Sequence, residues 1–179
     1  IAATLQTLRQ HTIAGAHRTD LTRGTHTRLL TIGGHHYVVN VRLTPAGVHW
    51  SVGSGGRSAP PTGSAEGPDP DVIEPVLRWW FDLDTDIDTI DDHLRTDPLL
   101  TEQIDTRPGV RITRHPDAAA GVLTTILGQQ VSLAAGRTFA GRLVAAYGEH
   151  VRAGLRAFPT AAQIAAADEE GLRSALGLT

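Results

Sequence analysis

The stretch that decides the fold runs from Val122 to Gly148 and reads VLTTILGQQVSLAAGRTFAGRLVAAYG. Apolar residues recur at helical spacing on both sides of a break, which predicts two helices over Ala118–Gly128 and Ser132–Tyr147. Ser132 suits the N-cap of the second helix, and Gly148 suits the position just after its end. A polar break between two helices that bury apolar faces removes packing contacts. The presence of polar residues in the joining segment therefore calls for an explanation.

The side chains at this break, those of Gln129 and Gln130, admit two interpretations. The first is a polar helix–helix turn with no further role, and the residue pattern alone favours it. The second comes from DNA chemistry, because a protein that acts on a stacked base must extrude it at a cost of roughly a few kcal/mol. A side chain that fills the vacated stack offsets part of that cost, and a short turn between packed helices could hold it.

Composition limits the class of protein. The chain has 179 residues, 40% of them hydrophobic, which is enough for one domain or two small ones. There is no cysteine and no run of 18 apolar residues, so we expect no disulfide, no membrane span and a cytoplasmic protein. All 16 basic residues are arginine, which suggests a high-GC bacterial source. Met is absent and the chain starts at Ile1, so we expect residues before it.

The first half of the chain predicts a short helix over Ile1–Gln10 and then strands. Two alternating segments, His26–Ile32 and Tyr37–Leu43, flank Gly-Gly-His-His, which is a hairpin signal. A third strand is predicted over Val48–Val52. The Gly-, Ser- and Pro-rich residues 53–71 predict a flexible loop.

The second half predicts helices alone. A helix over Asp71–Phe81 has Pro75 in its first turn, where a missing N–H is tolerated. The remaining helices besides the two of the opening stretch are predicted over Ile87–Arg95, Pro98–Asp105, Ala161–Ala167 and Glu169–Leu176. The fold class is therefore α+β, with an N-terminal antiparallel β-rich domain over residues 1–75 and a helical domain over residues 76–179.

Charge is divided along the chain. Residues 82–105 hold nine acids and one arginine, for a net charge of −8, whereas residues 106–157 hold seven arginines and two acids, for +5. Two solvated faces would explain the division. A basic face aimed at phosphates would explain it too, with acidic charge kept elsewhere.

Several kinds of site are excluded. The acidic run from Asp82 to Asp88 lacks the Gly and Glu spacing of a calcium loop, so we interpret its acids as helix caps. The nine histidines lack the spacing of a zinc site, and we expect them at the surface. No Gly-x-Ser-x-Gly elbow is present, and the absence of lysine excludes a phosphate-binding loop. We therefore expect neither a metal nor an organic cofactor.

Four segments in order resemble one family. They are Trp80–Asp84 followed by Asp97–Leu99, Arg107–Arg111, Leu127–Ser132, and Phe158–Thr160 with the Ala-rich segment after it. Together they resemble the AlkA-type 3-methyladenine DNA glycosylases of the helix-hairpin-helix superfamily. The resemblance covers nearly the whole chain, and its specificity lies in the order and spacing of the segments.

The resemblance implies roles for a few residues. Gln130 matches the position of the side chain that enters the DNA stack, and Gln129 and Ser132 accompany it at the DNA surface. Arg137 is implied as a phosphate neighbour, while Arg142 is either another neighbour or an exposed helix residue. The family's hairpin and its catalytic Asp are expected beyond Thr179, so no catalytic residue is assigned within the chain.

The resemblance also implies a fold and a reaction. The N-terminal strands would form a small domain similar to one half of the TATA-binding fold, followed by a helical glycosylase domain that is incomplete at its C-terminus. The reaction would be hydrolytic removal of alkylated purines from double-stranded DNA by a monomer without a cofactor. A Schiff-base lyase would need an amine, and no lysine is present. The alternative is a non-catalytic, DNA-binding or damage-sensing relative.

Overall fold

The computed structural model describes residues 2–44, 46–53, 70–152 and 154–178. Contacts divide the chain into two compact units, Ile1–Asp69 with Asp117–Thr179, and Pro70–Pro116. The elements are α1 (Ala2–Gln10), β1 (His17–Asp20), β2 (Thr25–Ile32), β3 (His35–Thr44), β4 (Gly47–Val52), α2 (Pro70–Phe81), α3 (Ile87–Leu94), α4 (Pro98–Thr106), α5 (Ala118–Gly128), α6 (Leu133–Tyr147), β5 (His150–Arg152), β6 (Leu155–Arg156), α7 (Ala161–Ala166) and α8 (Glu169–Leu176).

A four-stranded antiparallel sheet in the order β1-β2-β3-β4 forms the N-terminal part of the first unit. The predicted hairpin is confirmed, and its turn is tighter than expected. Ile32 pairs with His35, so the turn is Gly33 and Gly34 alone, and both glycines have the positive φ of 57° and 80° that a two-residue hairpin turn requires. The adjacent histidines belong to β3, and β1 is an additional strand that the sequence interpretation missed.

The sheet shares its core with the helices that follow residue 117. One buried cluster joins Ile13 and Ala16 to Ala140 and Val144 of α6. A second cluster joins Leu29 and Val38 of the sheet to Leu155 and Ala157 at the small β5–β6 hairpin, which the sequence interpretation also missed. These apolar contacts hold the early and late segments of the unit together.

The second unit is helical. Ile73, Leu77, Trp80 and Phe81 of α2 are its buried apolar residues. Since α2 begins at Pro70, Pro75 lies in the second turn and not in the first as predicted. Asp86 caps α3 by accepting a hydrogen bond from the Thr89 N–H at 3.2 Å, which confirms the capping interpretation of the acidic run.

One local expectation was wrong. His17 and His26 are only 5% and 1% exposed, so these histidines are core residues of the sheet and not surface residues. Gly148 directly follows the end of α6 as predicted, and its φ of −74° is outside the left-handed region. Glycine is required there because a Cβ would collide with the carbonyl oxygens of Val144 and Ala157.

The α+β class, with an antiparallel sheet followed by helices, is confirmed. The boundary at residue 75 stays a prediction, and most of the predicted flexible loop, residues 54–69, lies outside the described residues. In the parts of the chain that the structure describes, every helix is too short or too polar to cross a membrane.

Candidate nucleic-acid interface

The break between α5 and α6 is a short turn in which Gln129, Gln130 and Ser132 each have a non-helical backbone conformation. Gln129 caps α5 with an extended backbone, φ −68° and ψ 133°, and its N–H bonds to the carbonyl of Ile126 at 3.1 Å. Gln130 then adopts a left-handed conformation with a φ of 59°. Ser132 returns to an extended backbone and begins α6.

The left-handed backbone of Gln130 is unusual for its residue type. Among the described residues other than glycine, only Asp82 and Gln130 have a positive φ. This conformation costs roughly 1–2 kcal/mol for a residue with a Cβ, and such strain gathers at functional sites. The Gln130 side chain is exposed, so the turn presents it to solvent.

The predicted role of Ser132 as an N-cap is confirmed. Its Oγ accepts a hydrogen bond from the Ala135 N–H at 3.2 Å. The two helices also approach closely beside the turn, since a Cβ built on Gly136 would lie 3.1 Å from the Cα of Gly128. The cap and the close approach fix where α6 starts relative to α5, so the turn between them is well positioned.

The surface around the turn is partly apolar. Ile126 of α5 is 56% exposed and Leu133 of α6 is 49% exposed, with Val131 between them at 41%. Exposed apolar groups beside a polar side chain provide a surface that can contact bases and sugars as well as phosphates. The structure therefore gathers Gln129, Gln130 and Ser132 at one exposed turn.

The arginines that follow the turn are bonded to the protein's own backbone. Arg137 is exposed, and its Nε donates to the carbonyl of Thr12 at 3.0 Å. Arg142 donates from Nη1 to the carbonyl of Leu176 at 2.6 Å, at the C-terminal end of α8. Arg142 is thus a helix-capping residue, a role that its sequence position did not reveal.

Most arginines of the basic segment, residues 106–157, likewise form hydrogen bonds within the protein. Six of its arginines donate to groups of the protein itself, namely Arg107, Arg111, Arg114, Arg137, Arg142 and Arg156. A guanidinium group has five donors, so one such bond does not exclude a phosphate contact. Most arginines behind the +5 charge of the segment nevertheless form hydrogen bonds within the protein. The charge therefore does not by itself define a basic face.

Groups that could hold a metal are absent where the structure can be assessed. Within residues 2–44, 46–53, 70–152 and 154–178, no three His, Asp or Glu side chains come together as ligands would. The turn itself carries the amide groups of Gln129 and Gln130 and the hydroxyl group of Ser132, which can form hydrogen bonds.

Known structures share this architecture. The chain is similar to a 3-methyladenine DNA glycosylase from Archaeoglobus fulgidus, with a TM-score of 0.65, 19% identity, and 84% of this chain and 50% of the other covered. It is also similar to an 8-oxoguanine glycosylase/lyase from Clostridium acetobutylicum in complex with double-stranded DNA, with a TM-score of 0.64, 18% identity, and 94% and 53% covered. At these identities the likeness shows the fold.

Sequence relatives are closer but align over a shorter length. The chain is 44% identical over 95 residues to a probable bifunctional transcriptional activator/DNA repair enzyme AlkA from Mycobacterium tuberculosis, in two strains. The alignment covers 51% of this chain and 19% of the relative, so the matched part spans about a fifth of that protein. A model of the AlkA N-terminal domain matches residues 1–117. The chain therefore belongs to the AlkA N-terminal domain family, as the resemblance in its sequence predicted.

Proposed function

We propose that this chain is part of a DNA glycosylase of base-excision repair, which hydrolyses the N-glycosidic bond of alkylated purines such as 3-methyladenine. Its family, its fold and its mycobacterial relatives support this proposal. Because the chain spans about half of the solved glycosylases and a smaller part of the curated relatives, the activity is proposed for the whole natural protein. That protein would act as a cytoplasmic monomer, without a cofactor, on double-stranded DNA.

The observation that carries the proposal is the left-handed, exposed Gln130 at the capped turn. Flipping a base leaves a gap in the stack, and the cost is roughly a few kcal/mol. Gln130 would enter this gap, where its amide can bond to the orphaned partner base and its methylenes can contact the neighbouring bases. Gln129 and Ser132 would lie beside the DNA backbone on either side of it.

The chemical step would follow once the base lies in its pocket. The bond between the sugar C1′ and the purine nitrogen breaks, its electron pair leaves with the base, and positive charge develops on the sugar. Water then adds to C1′ and loses a proton, which leaves an abasic site. A carboxylate would stabilise the cationic sugar. In the family resemblance, the acids between Asp82 and Asp105 do not match the catalytic position, so we propose that this carboxylate belongs to another part of the natural protein.

The test compares Gln130→Ala with its neighbour Gln129→Ala in the natural protein. We expect Gln130→Ala to weaken binding to a lesion-containing duplex about ten-fold, equivalent to about 1.4 kcal/mol, and to weaken binding to an abasic duplex less. Gln129→Ala is the matched comparison at an exposed residue with ordinary φ, and we expect it to affect the two duplexes equally because Gln129 would contact the DNA backbone and not the stack. Unchanged affinities of Gln130→Ala for both duplexes would contradict the proposed role.

Release of free base from alkylated DNA tests the reaction itself. We expect 3-methyladenine to appear with the natural protein and to persist when a chelator is added, because the proposed chemistry needs no metal. Release of 8-oxoguanine instead would move the substrate class toward that of the clostridial neighbour. Tight DNA binding without release of any base would support the non-catalytic, damage-sensing alternative.

A further inference from the structure

One face of the N-terminal sheet carries two adjacent rows of polar residues. The register of the strands aligns Arg18, Thr27, Asn40 and Ser51 in one row across the sheet, and Asp20, Thr25, Arg42 and His49 in the next. The neighbouring row contains Leu29 and Val38, which are buried against the β5–β6 hairpin. The hairpin thus covers the apolar part of this face, and the polar rows remain at the surface.

A groove of about 800 Å³ lies along this polar surface. Its lining includes Arg9 from the last turn of α1, Arg18 from β1, and Arg23 from the turn between β1 and β2. All three arginines are exposed. Threonines complete the lining, namely Thr19, Thr22, Thr25 and Thr27. The hydroxyl of Thr19 bonds to Thr12 and that of Thr27 to Asn40, so Thr22 and Thr25 are the threonines considered for a ligand.

The charge of the groove is positive. Asp20 is the acid among the lining residues, against the three arginines. Asp20 accepts a hydrogen bond from the Arg23 N–H at 3.0 Å, so it closes the β1–β2 turn. Its ion pair with the Arg23 side chain is long at 3.5 Å and highly exposed, and such a pair contributes only about 0–1 kcal/mol. A phosphate could therefore replace Asp20 as the partner of the Arg23 guanidinium group at a small cost in free energy.

The groove is connected to the α5–α6 turn through one short segment. Thr12 accepts the hydrogen bond from Arg137 through its carbonyl, and its hydroxyl lies 2.7 Å from the hydroxyl of Thr19 in the groove wall. Arg9 is one helical turn before Thr12. Basic side chains therefore continue from the start of α6, through the end of α1, to the sheet.

We propose that this groove binds the phosphates of a DNA strand that extends from the turn at Gln130, so the sheet adds a second, sequence-independent contact to the duplex. This inference rests on the proposed function. Guanidinium groups pair with phosphate oxygens, and threonine hydroxyls donate to them. Such contacts fix the register of the protein on DNA without reading its sequence.

The polar lining of the groove favours a DNA strand over a small organic molecule as its ligand. Small-molecule sites are mostly apolar and enclosed, with few polar groups, whereas this groove is lined by charged and hydroxyl groups at the surface. The sequence interpretation missed it because β1 was not predicted. Arg18, Thr25 and Thr27 lie in two different strands, and only the pairing of β1 with β2 places them on one face.

The experiment measures binding of an undamaged duplex to the natural protein as salt is raised from about 50 to 200 mM. Each phosphate contact contributes about 0.9 to the slope of log affinity against log salt, so we expect the double variant Arg9→Gln/Arg23→Gln to reduce the slope by about 1.8. Arg173→Gln is the matched control, because Arg173 is an exposed arginine of α8 with a comparable weak pair to Glu169. Circular dichroism melts establish that each variant is folded.

The outcomes separate this inference from the role of Gln130. A reduced slope in the double variant, equal on damaged and undamaged duplexes, supports the groove even if Gln130→Ala has no effect. A slope equal to that of Arg173→Gln overturns the groove even if Gln130→Ala behaves as expected. Inorganic phosphate is the second probe: if it stabilises the protein in a way that the double variant loses, while DNA affinity is unchanged, the groove is a free-phosphate site and the inference is wrong.

Discussion

Two described residues other than glycine have a strained backbone, and their surroundings differ. Asp82 and Gln130 share a left-handed backbone. Asp82 accepts hydrogen bonds from the Thr85 hydroxyl and from Arg114, both at 2.7 Å, so its strain is offset by bonds within its own unit. Gln130 instead lies exposed on a turn. The strain at Gln130 is therefore consistent with the proposed role of its side chain in DNA.

Replacing Gln130 with glycine should therefore leave the fold intact while removing function. Glycine reaches a φ of 59° without a Cβ clash, which saves roughly 1–2 kcal/mol, and its greater freedom in the unfolded chain costs about 0.5–1 kcal/mol. We expect the free energy of unfolding to stay the same or rise by up to about 1 kcal/mol, while discrimination between lesion and undamaged duplex falls. Denaturant unfolding and DNA-binding assays measure the two effects.

Gln129→Gly is the control for this experiment. Gln129 has an ordinary φ of −68° at the end of α5, so glycine there relieves no strain and only adds freedom to the unfolded chain. We expect a small loss of stability, and any loss of DNA binding should be equal on lesion and undamaged duplexes, because Gln129 is proposed to lie beside the DNA backbone and not in the stack. If Gln130→Gly destabilised the protein as much as Gln129→Gly, strain at Gln130 would not be the right account.

At the scale of elements, what could be predicted depended on whether the signal was local. The β2–β3 hairpin and the helices α5 and α6 were predictable because Gly-Gly and the apolar spacing lie within the segments themselves. The strand β1 has the sequence His-Arg-Thr-Asp and shows no apolar alternation, so its pairing with β2 was invisible. The same holds for β5 and β6, which have three and two residues.

A buried histidine inside β2 makes the sheet sensitive to acid. Burial, together with the smaller effect of the positive charge of Arg28, lowers the pKa of His26 from 6.5 to about 3. The His26 Nδ1 lies 2.8 Å from the Thr19 hydroxyl, and the ring of His17 lies beside it at 5.4 Å. His26 is therefore neutral in the folded sheet, while in the unfolded chain it gains a proton below pH 6.5.

Stability should consequently be greatest above pH 6.5 and fall between pH 6.5 and about 3, where the unfolded chain binds a proton that the folded chain excludes. The loss reaches about 1.4 kcal/mol per pH unit in this window. Urea unfolding at a series of pH values measures it. His26→Asn keeps a polar atom near Thr19 without titrating, so we expect a lower stability at neutral pH and a shallower dependence on acid.

His35→Asn is the control for His26→Asn, because it replaces an exposed histidine and not a buried one. His35 is an exposed residue at the start of β3, so His35→Asn removes a histidine from the same sheet without disturbing its buried core. A pH profile that stayed as steep in His26→Asn as in the wild type would assign the acid sensitivity to other groups, of which the carboxylates are the first candidates.

At the scale of the whole molecule, sequence order was a poor guide to which segments pack together. The division of charge suggested a basic face over residues 106–157, yet most arginines there bond to carbonyls and side chains of the protein. The first unit combines Ile1–Asp69 with Asp117–Thr179. Such a shared core depends on contacts between residues more than a hundred positions apart. A pattern within one short segment of sequence cannot predict these contacts.

The predicted boundary at residue 75 can be tested through this shared core. A fragment of residues 1–75 keeps the sheet but loses the partners of its two buried clusters, Ala140 and Val144 in one and Leu155 and Ala157 in the other. Each large apolar side chain that becomes exposed costs about 1.5–3 kcal/mol, against a total stability of about 5–15 kcal/mol for a domain. We expect the fragment to bind a hydrophobic dye and to melt without a cooperative transition.

Leu155→Ala in the complete chain provides the matched measurement. Leu155 is 1% exposed and packs in the cluster with Leu29 and Val38, so its truncation should lower the free energy of unfolding by about 2–5 kcal/mol. If the sheet depends on this contact, the near-ultraviolet signal of Trp50 in β4 and the far-ultraviolet signal of the helices should be lost in one transition. A fragment of residues 1–75 that melts sharply, together with a Leu155→Ala chain whose sheet melts separately from its helices, would instead show that the sheet is an autonomous domain ending near residue 75.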